Sequence, residues 1–244
     1  MPSIHFDPPF IAHRGANNVA PENTISAFKQ AFAEGAKWVE FDVMLTACGE
    51  AVVFHDDTLE RTTNGSGLVI DHTYAELVQL DAGSWFSPAF KGERIPLFRD
   101  VLTLLKSLPL CANIEIKPYP GTENQTVEKV LSDFRAVWPE ASPLFSSFSM
   151  PALQHLRLLA PDVNIGVLIH EWFSGWQEYC VTLNCASVNL NHEIITPEYI
   201  QQIHALGVPI LAYTVNSKAL AKHLMQMGVD AFFTDDFPRL NATR

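Results

Sequence analysis

Short apolar runs alternate along this chain with longer segments in which apolar residues recur at helical spacing. The apolar runs predict buried strands, and the longer segments predict helices with one buried face. The predicted strands are 9–13, 37–43, 111–117, 144–148, 164–169, 186–190, 209–215 and 230–235. The predicted helices are 23–35, 98–108, 124–138, 150–160, 174–183, 196–207 and 217–228. This alternation predicts a TIM (β/α)8 barrel, with a doubly wound open sheet as the alternative.

Residues typical of helix ends support several of these helices. Asn23 or Thr24 precedes the first helix as a capping residue, Ser149 precedes the helix at 150, and Thr196 is followed by Pro197. Glycines follow three of the predicted helices, where they can take the left-handed conformation that ends a helix: Gly35, Gly207 and Gly228.

One segment, approximately residues 56–95, interrupts the alternation. It is rich in turn residues, contains one short helical pattern, and is interpreted as a small insertion between the second strand and its helix. Loops in this position lie at the carboxyl-end face, where barrel enzymes keep their active sites. Trp85, Phe86 and Phe90 are expected either to form an apolar wall of that site or to pack the insertion onto the barrel.

Composition favours one globular domain spanning residues 1–244. Of these residues 48% are hydrophobic and 18% charged, and no linker-like segment lies near the middle. The opening residues lack the pattern of a secretion signal, and no apolar run is long enough to span a membrane, so we expect a cytoplasmic protein. The cysteines show no paired spacing and are interpreted as reduced, buried thiols: Cys48, Cys111, Cys180 and Cys185.

The chain carries 16 basic and 27 acidic residues, which gives a net charge of −11. This charge opposes general binding to nucleic acids or to anionic membrane surfaces. An anionic substrate would have to be held locally by a metal ion and a few cationic side chains. We therefore expect a small-molecule ligand and no stable membrane association, and the sequence leaves the oligomeric state open.

The second predicted strand carries two acidic residues, Glu40 and Asp42, on one face. Residues two apart in a strand point the same way, so both carboxylates face one point in an otherwise apolar strand. They would repel each other unless a cation neutralised them. The chain then bends at residues 48–50 and runs apolar to His55, whose imidazole could act beside a metal ion.

Further chemistry follows from the ends of the neighbouring strands. His13 and Arg14 end the first strand, and Glu115 and Lys117 share one face of the third. Three carboxylates without a soft ligand favour one hard divalent cation, Mg²⁺ or Ca²⁺. The fork of Arg14 and the point charge of Lys117 suit a phosphate ester. Each signal alone is also compatible with an ordinary strand-end ion pair, but all are predicted to lie on one rim.

The strings HRGANNVAPENTISAF, VEFDV, VVFHDDTLERTTNGSG, NIEIK and GVDAFFTDDFPRL occur in this order along the chain. In these motifs the sequence resembles the glycerophosphodiester phosphodiesterase family, in particular its soluble bacterial cytosolic members, over essentially its whole length. The resemblance implies a TIM barrel with a small insertion after the second strand. Departures at Tyr213, at 47–49 and at 232–233 affect the expected shape of the pocket.

The resemblance also implies roles for seven residues. The metal ligands would be Glu40, Asp42 and Glu115; the acid and base histidines would be His13 and His55; and the cations that contact phosphate would be Arg14 and Lys117.

The implied reaction is metal-dependent hydrolysis of glycerophosphodiesters, such as glycerophosphocholine, to sn-glycerol 3-phosphate and an alcohol. The sequence leaves open which histidine is the acid, and whether water or a glycerol hydroxyl attacks. The alternatives are a phospholipase-like phosphodiesterase of the same barrel class and a non-catalytic barrel that binds glycerol phosphates.

Overall fold

A computed structural model describes residues 4–241 and contains a closed barrel of eight parallel strands. The barrel strands are β1 (Phe10–Ala12), β2 (Trp38–Leu45), β4 (Cys111–Ile116), β5 (Leu144–Ser147), β6 (Asn164–Ile169), β7 (Ser187–Asn191), β8 (Ile210–Tyr213) and β9 (Ala231–Thr234). A short strand, β3 (Ala51–Val53), pairs antiparallel with the end of β2.

The first strand closes the barrel because β1 pairs with both of its neighbours. Ile11 lies opposite Trp38 of β2 and opposite Phe233 of β9. An open sheet would leave an unpaired edge at β1, so the doubly wound alternative is excluded and the predicted TIM barrel is confirmed.

Helices connect the strands around the outside of the barrel. They are α1 (Ile25–Ala33), α2 (Tyr74–Leu77), α3 (Phe98–Ser107), α4 (Glu123–Val137), α5 (Met150–Leu159), α6 (Trp176–Thr182), α7 (Pro197–His204), α8 (Lys218–Met227) and α9 (Phe237–Asn241). Short 3₁₀ turns occupy 69–71, 88–90 and 192–194.

Three helices, α1, α5 and α7, begin at the capping residues expected from the sequence, with one choice resolved. Thr24, not Asn23, caps α1, because its hydroxyl accepts a hydrogen bond from the N–H of Ala27. Ser149 and Thr196 cap α5 and α7 in the same way.

Side-chain alternation along the strands separates an outer core from the barrel interior. Outward residues such as Val39 and Phe41 pack with the buried faces of the helices. Inward residues at the start of the strands, including Ile11, Trp38 and Leu211, form a smaller apolar cluster. Farther along β2 the inward positions become acidic, so the apolar cluster lies beneath a polar rim at the carboxyl ends.

The insertion between β3 and α3 has a small apolar core of its own, in which Leu59, Val69 and Leu77 pack against Met44 and Val52 of the β2–β3 hairpin. The expectation that Trp85, Phe86 and Phe90 form an apolar wall of the site is wrong, because none of these rings lines its cavity. Trp85 packs edge to face on Phe86, with ring centroids 5.7 Å apart, and Phe86 packs in the same way on Phe90, with centroids 5.6 Å apart. Because the insertion shares its core with the hairpin, we propose that it and the barrel form one domain.

The four cysteines are free thiols, as expected. Cys180 and Cys185 are buried, whereas Cys48 and Cys111 are exposed, so the expectation of burial was wrong for two of them. Their neighbours in the sequence did not reveal that Cys48 lies in a turn and that Cys111 lies at the exposed start of β4.

Candidate active site

Three carboxylates meet on the polar rim because β2 and β4 are neighbours in the barrel. Their parallel register places Asp42 opposite Glu115 and Glu40 opposite Asn113. Glu40 and Asp42 are buried and Glu115 is half-buried. One oxygen atom from each carboxylate lies within 4.8 Å of the other two. The structure therefore brings together the three side chains that strand alternation predicted would converge.

The cluster is electrostatically crowded. Burial raises the pKa of Glu40 well above its ordinary value, and the charges of Asp42 and Glu115 raise it further. Burial, and then Asp42, raise the pKa of Glu115 to about 8. Burial acts in the same direction on the pKa of Asp42, but Lys117 and Arg14 together hold it below its ordinary value. Without a cation the rim does not readily carry three full negative charges.

His13 is held by a carboxylate from the opposite end of the chain. Its Nδ1 lies 2.6 Å from Oδ1 of Asp235, and its Nε2 lies 3.9 Å from Oε2 of Glu40. Asn17 and Asn216 also donate to Asp235, at 2.6 and 2.7 Å. Although burial opposes it, these bonds lower the pKa of Asp235, so this carboxylate is an ionised acceptor. The proton of neutral His13 therefore lies on Nδ1, which leaves the Nε2 lone pair free.

His55 is held in the same manner, but by a longer chain of contacts. Its Nδ1 lies 2.5 Å from Oδ1 of Asp56. Arg61 binds both oxygens of Asp56, at 2.5 and 2.9 Å, and both oxygens of Glu22, at 2.7 and 2.8 Å. Burial lowers the pKa of His55, against the opposing charge of Asp42. The geometry thus presents a second imidazole whose Nδ1 is occupied.

The two predicted phosphate cations lie against the carboxylate cluster. The backbone N–H of Arg14, at a φ of 55°, donates to Oε2 of Glu40 at 3.0 Å. Its guanidinium donates to Glu22 at 2.9 Å, and its Nε lies 3.6 Å from Oδ2 of Asp42. Nζ of Lys117 lies 3.8 Å from Oδ1 of Asp42. Both cations therefore offset negative charge on the rim.

A cavity of about 130 Å³ opens among these groups. One half is polar, with both histidines, Arg14, Glu40 and Glu115. The other half is apolar and is formed by residues on β6, β8 and β9 and just after β5: Phe148, Leu168, Tyr213 and Phe233. Sequence reasoning named Tyr213 and residues 232–233 only as departures from the resembling family, and missed Phe148 and Leu168 as part of the wall.

Other neighbours of the site were interpreted too weakly from the sequence. The sequence favoured a turn for Asp235 over a supporting role at the site, and a loop-and-cap role for Glu22 and Asn23 over bracing the site. Asn23 instead donates to Oδ2 of Asp42 at 2.9 Å. Arg61 was not recognised at all. The sequence did contain a signal for Asp235. It directly follows the last strand, which lies beside the first strand in a closed barrel, and so it could have been placed next to His13.

The rim fits a hard divalent cation. Its donor set is carboxylate oxygen throughout, which such ions prefer. Among residues 4–241, Oδ1 of Asn113 is also buried without a hydrogen-bond partner, and this residue lines the cavity beside Glu40 and Glu115. Crowded acids and an unsatisfied oxygen are both features that a bound ligand or ion would stabilise.

Residues 13–238 match the sequence model of the glycerophosphoryl diester phosphodiesterase family. The chain belongs to this family. A glycerophosphodiester phosphodiesterase of Caldanaerobacter subterraneus subsp. tengcongensis is 37% identical over 230 residues, which cover 93% of this chain and 93% of that protein. The range that matches the family model, residues 13–238, spans the rim residues described above.

Solved structures of similar chains agree with the fold. A phosphodiesterase from Oleispira antarctica, in complex with the product sn-glycerol-3-phosphate, is 37% identical, covers 96% of both chains and has a TM-score of 0.93. A glycerophosphodiester phosphodiesterase from Agrobacterium tumefaciens is 28% identical, has a TM-score of 0.76, and covers 96% of this chain and 99% of that one. Within residues 4–241, this family member contains no helix that is both long and apolar enough to cross a bilayer.

Proposed function

We propose that this enzyme hydrolyses glycerophosphodiesters to sn-glycerol 3-phosphate and an alcohol, with the help of one bound divalent cation. The observation that carries the proposal is the rim itself, where three carboxylates within 4.8 Å of one another lie beside two imidazoles and two cations. Membership of the family and the product bound to the Oleispira antarctica enzyme support the same reaction.

Glu40, Asp42 and Glu115 would hold the cation, which we propose to be Mg²⁺ or Ca²⁺ because the donors are hard oxygen atoms. When bound, such an ion supplies Lewis-acid polarisation of a phosphoryl oxygen and lowers the pKa of a coordinated hydroxyl group.

His13 and His55 divide the proton transfers. The Nδ1 atom of each ring is fixed by a carboxylate, Asp235 or Asp56, so each presents Nε2 to the substrate. One ring removes the proton from the attacking hydroxyl or water, and the other gives a proton to the departing alcohol. The two carboxylates keep the rings oriented and stabilise each imidazolium as it forms.

Arg14 and Lys117 hold the phosphate and offset the charge that builds on its oxygens in the transition state. The guanidinium of Arg14 is fixed by Glu22 before substrate arrives, so little conformational freedom is lost on binding. The apolar half of the cavity excludes water from one side of the phosphate, which strengthens these electrostatic contacts.

The test is release of glycerol 3-phosphate from glycerophosphocholine, measured with a coupled dehydrogenase. We expect activity that EDTA abolishes and that Mg²⁺ or Ca²⁺ restores, with no activity towards intact phospholipid vesicles. Full activity in chelated, metal-free buffer would contradict the role of the cation. Binding of glycerol 3-phosphate without turnover would favour a non-catalytic barrel, and vesicle hydrolysis would favour a phospholipase-like enzyme.

A further inference from the structure

A groove of about 370 Å³ continues from the active-site cavity across the ends of β5 and β6. The cavity and the groove share two residues, Phe148 and Leu168, so a molecule held in the cavity can extend into the groove without leaving the protein surface. The outer part of the groove is formed by the loop between β6 and α6 and by α6 itself, at Glu171, Phe173 and Tyr179.

Aromatic rings line both ends of this groove. Phe148 is 47% exposed and packs edge to face on Tyr213, with ring centroids 5.9 Å apart. Phe173 and Tyr179 are half-buried and pack edge to face, with centroids 6.0 Å apart. An exposed ring in a groove presents a negatively polarised face, which attracts organic cations.

The groove also contains an unpaired carboxylate. Glu171 is exposed, and across residues 4–241 its side chain makes no hydrogen bond or ion pair. No lysine or arginine lines the groove, so with histidine counted as neutral Glu171 is its one formally charged lining residue. An uncompensated negative charge among aromatic rings favours a cationic ligand over an anionic or a neutral one.

We infer that this groove binds the alcohol portion of the substrate and selects alcohols that carry an ammonium group, such as choline. The inference rests on the proposed function, since the phosphate must lie in the cavity for its alcohol to reach the groove. The ammonium group would lie against Phe173 and Tyr179 with Glu171 beside it, while the phosphate stays among Arg14 and the histidines. Because these contacts exist before and during the reaction, they would lower KM more than they raise kcat.

Two diesters of equal size test this selection. In glycerophosphocholine the alcohol carries a trimethylammonium group, and in the 3,3-dimethylbutyl ester carbon replaces that nitrogen, so the two differ in charge and not in shape. We expect the wild-type enzyme to favour the choline ester by about tenfold in kcat/KM, which corresponds to about 1.4 kcal/mol. Glu171→Gln should remove most of that preference through a higher KM for the choline ester, with little change for the neutral ester.

Two further variants separate the groove from general effects of charge and bulk. Glu178→Gln removes a carboxylate from α6 that does not line the groove, and should keep the wild-type preference. Phe173→Leu keeps apolar bulk but removes a ring face, and should reduce the preference.

Equal rates for the two esters in the wild-type enzyme would overturn the inference while leaving the proposed function intact. An equal loss for both esters in Glu171→Gln would also overturn it, because the residue would then act on the fold and not on the cation. Failure to release glycerol 3-phosphate from either ester would overturn the proposed function, and the groove assignment with it.

Discussion

Asp235 accepts a 2.6 Å hydrogen bond from Nδ1 of His13, although the two residues are 222 positions apart in the sequence. The bond is possible because β1 and β9 are adjacent in the closed barrel, and both side chains follow the carboxyl ends of their strands. An ionised partner at Nδ1 fixes the tautomer of the ring and stabilises the imidazolium that forms when Nε2 takes a proton.

Asp235→Asn should therefore lower turnover by about tenfold to 100-fold. The neutral amide would no longer fix the tautomer of the His13 ring or stabilise its imidazolium form. Asp236→Asn is the matched control, because its carboxylate binds Asn18 and Arg239 instead of a histidine. Equal activity of both variants would show that the His13 contact has no role in turnover.

Arg61 joins two parts of the site, since its guanidinium binds Asp56 behind His55 and Glu22 behind Arg14. Arg61→Lys keeps the charge but cannot bind both carboxylates with a planar fork. We expect about a tenfold loss of kcat/KM, with both His55 orientation and phosphate binding weakened.

The control for this prediction is Arg99→Lys, because Arg99 also pairs with a carboxylate, Glu50, but contacts none of the rim residues. Unfolding temperatures of the two variants should be similar, which separates a loss of orientation from a loss of stability. Normal kinetics in Arg61→Lys would show that the contacts of Arg61 with Asp56 and Glu22 do not contribute to catalysis.

Much of this site could be predicted from the sequence because strands constrain it. Glu40 and Asp42 are two residues apart in one strand, and Glu115 is at the corresponding position of the next, so alternation and register bring them together. The network around Arg61 could not be predicted in this way. Arg61 lies in a part of the insertion that shows no periodicity, and its partners come from separate loops that only the folded barrel brings together.

The apolar wall shows a second limit. Trp85 was a reasonable candidate because the insertion follows the second strand, but aromatic composition does not fix the direction of a side chain. The ring packs on Phe86, and the cavity takes its apolar side from Phe148 and Tyr213 across the barrel. Side-chain directions on regular strands are therefore more predictable than those in an irregular insertion.

The metal-free protein should become less stable as the pH rises through neutrality towards about 8. The folded pKa of Glu115 is about 8, and that of Glu40 is also raised, whereas both acids ionise near 4.5 when unfolded. The folded state then binds more protons than the unfolded state in this range, so the free energy of unfolding falls by about 1.4 kcal/mol per pH unit for each proton involved. The lowered pKa of His55 has the opposite effect, but only below about 6.5.

This prediction can be measured by thermal unfolding in EDTA between pH 6.5 and pH 8. We expect the melting temperature to fall by about 3–5 °C per pH unit for a chain of this size. Added Mg²⁺ or Ca²⁺ should abolish this fall of melting temperature. In metal-free buffer, Glu115→Gln should make the fall smaller. The exposed Glu178→Gln variant should show the same fall of melting temperature with pH as the wild-type protein. An unchanged fall in Glu115→Gln would refute the electrostatic explanation.

The two histidines provide the most direct test of the mechanism. If His13 and His55 act as an acid and base pair on one phosphate, His13→Ala and His55→Ala should each lower kcat by about 100-fold or more, while metal affinity changes little. The double variant should lose much less than the product of the two single losses, because residues that act as a unit are not additive.

A diester of p-nitrophenol assigns the two roles. This leaving group needs little protonation, so the diester should restore the rate of the variant that lacks the acid and not of the variant that lacks the base. Rescue of His13→Ala alone would make His55 the base, which agrees with the burial that lowers the pKa of His55 and keeps its ring neutral. Rescue of His55→Ala alone would reverse the assignment. Equal rescue of both would contradict the division into one acid and one base, because both rings would then serve the same proton transfer.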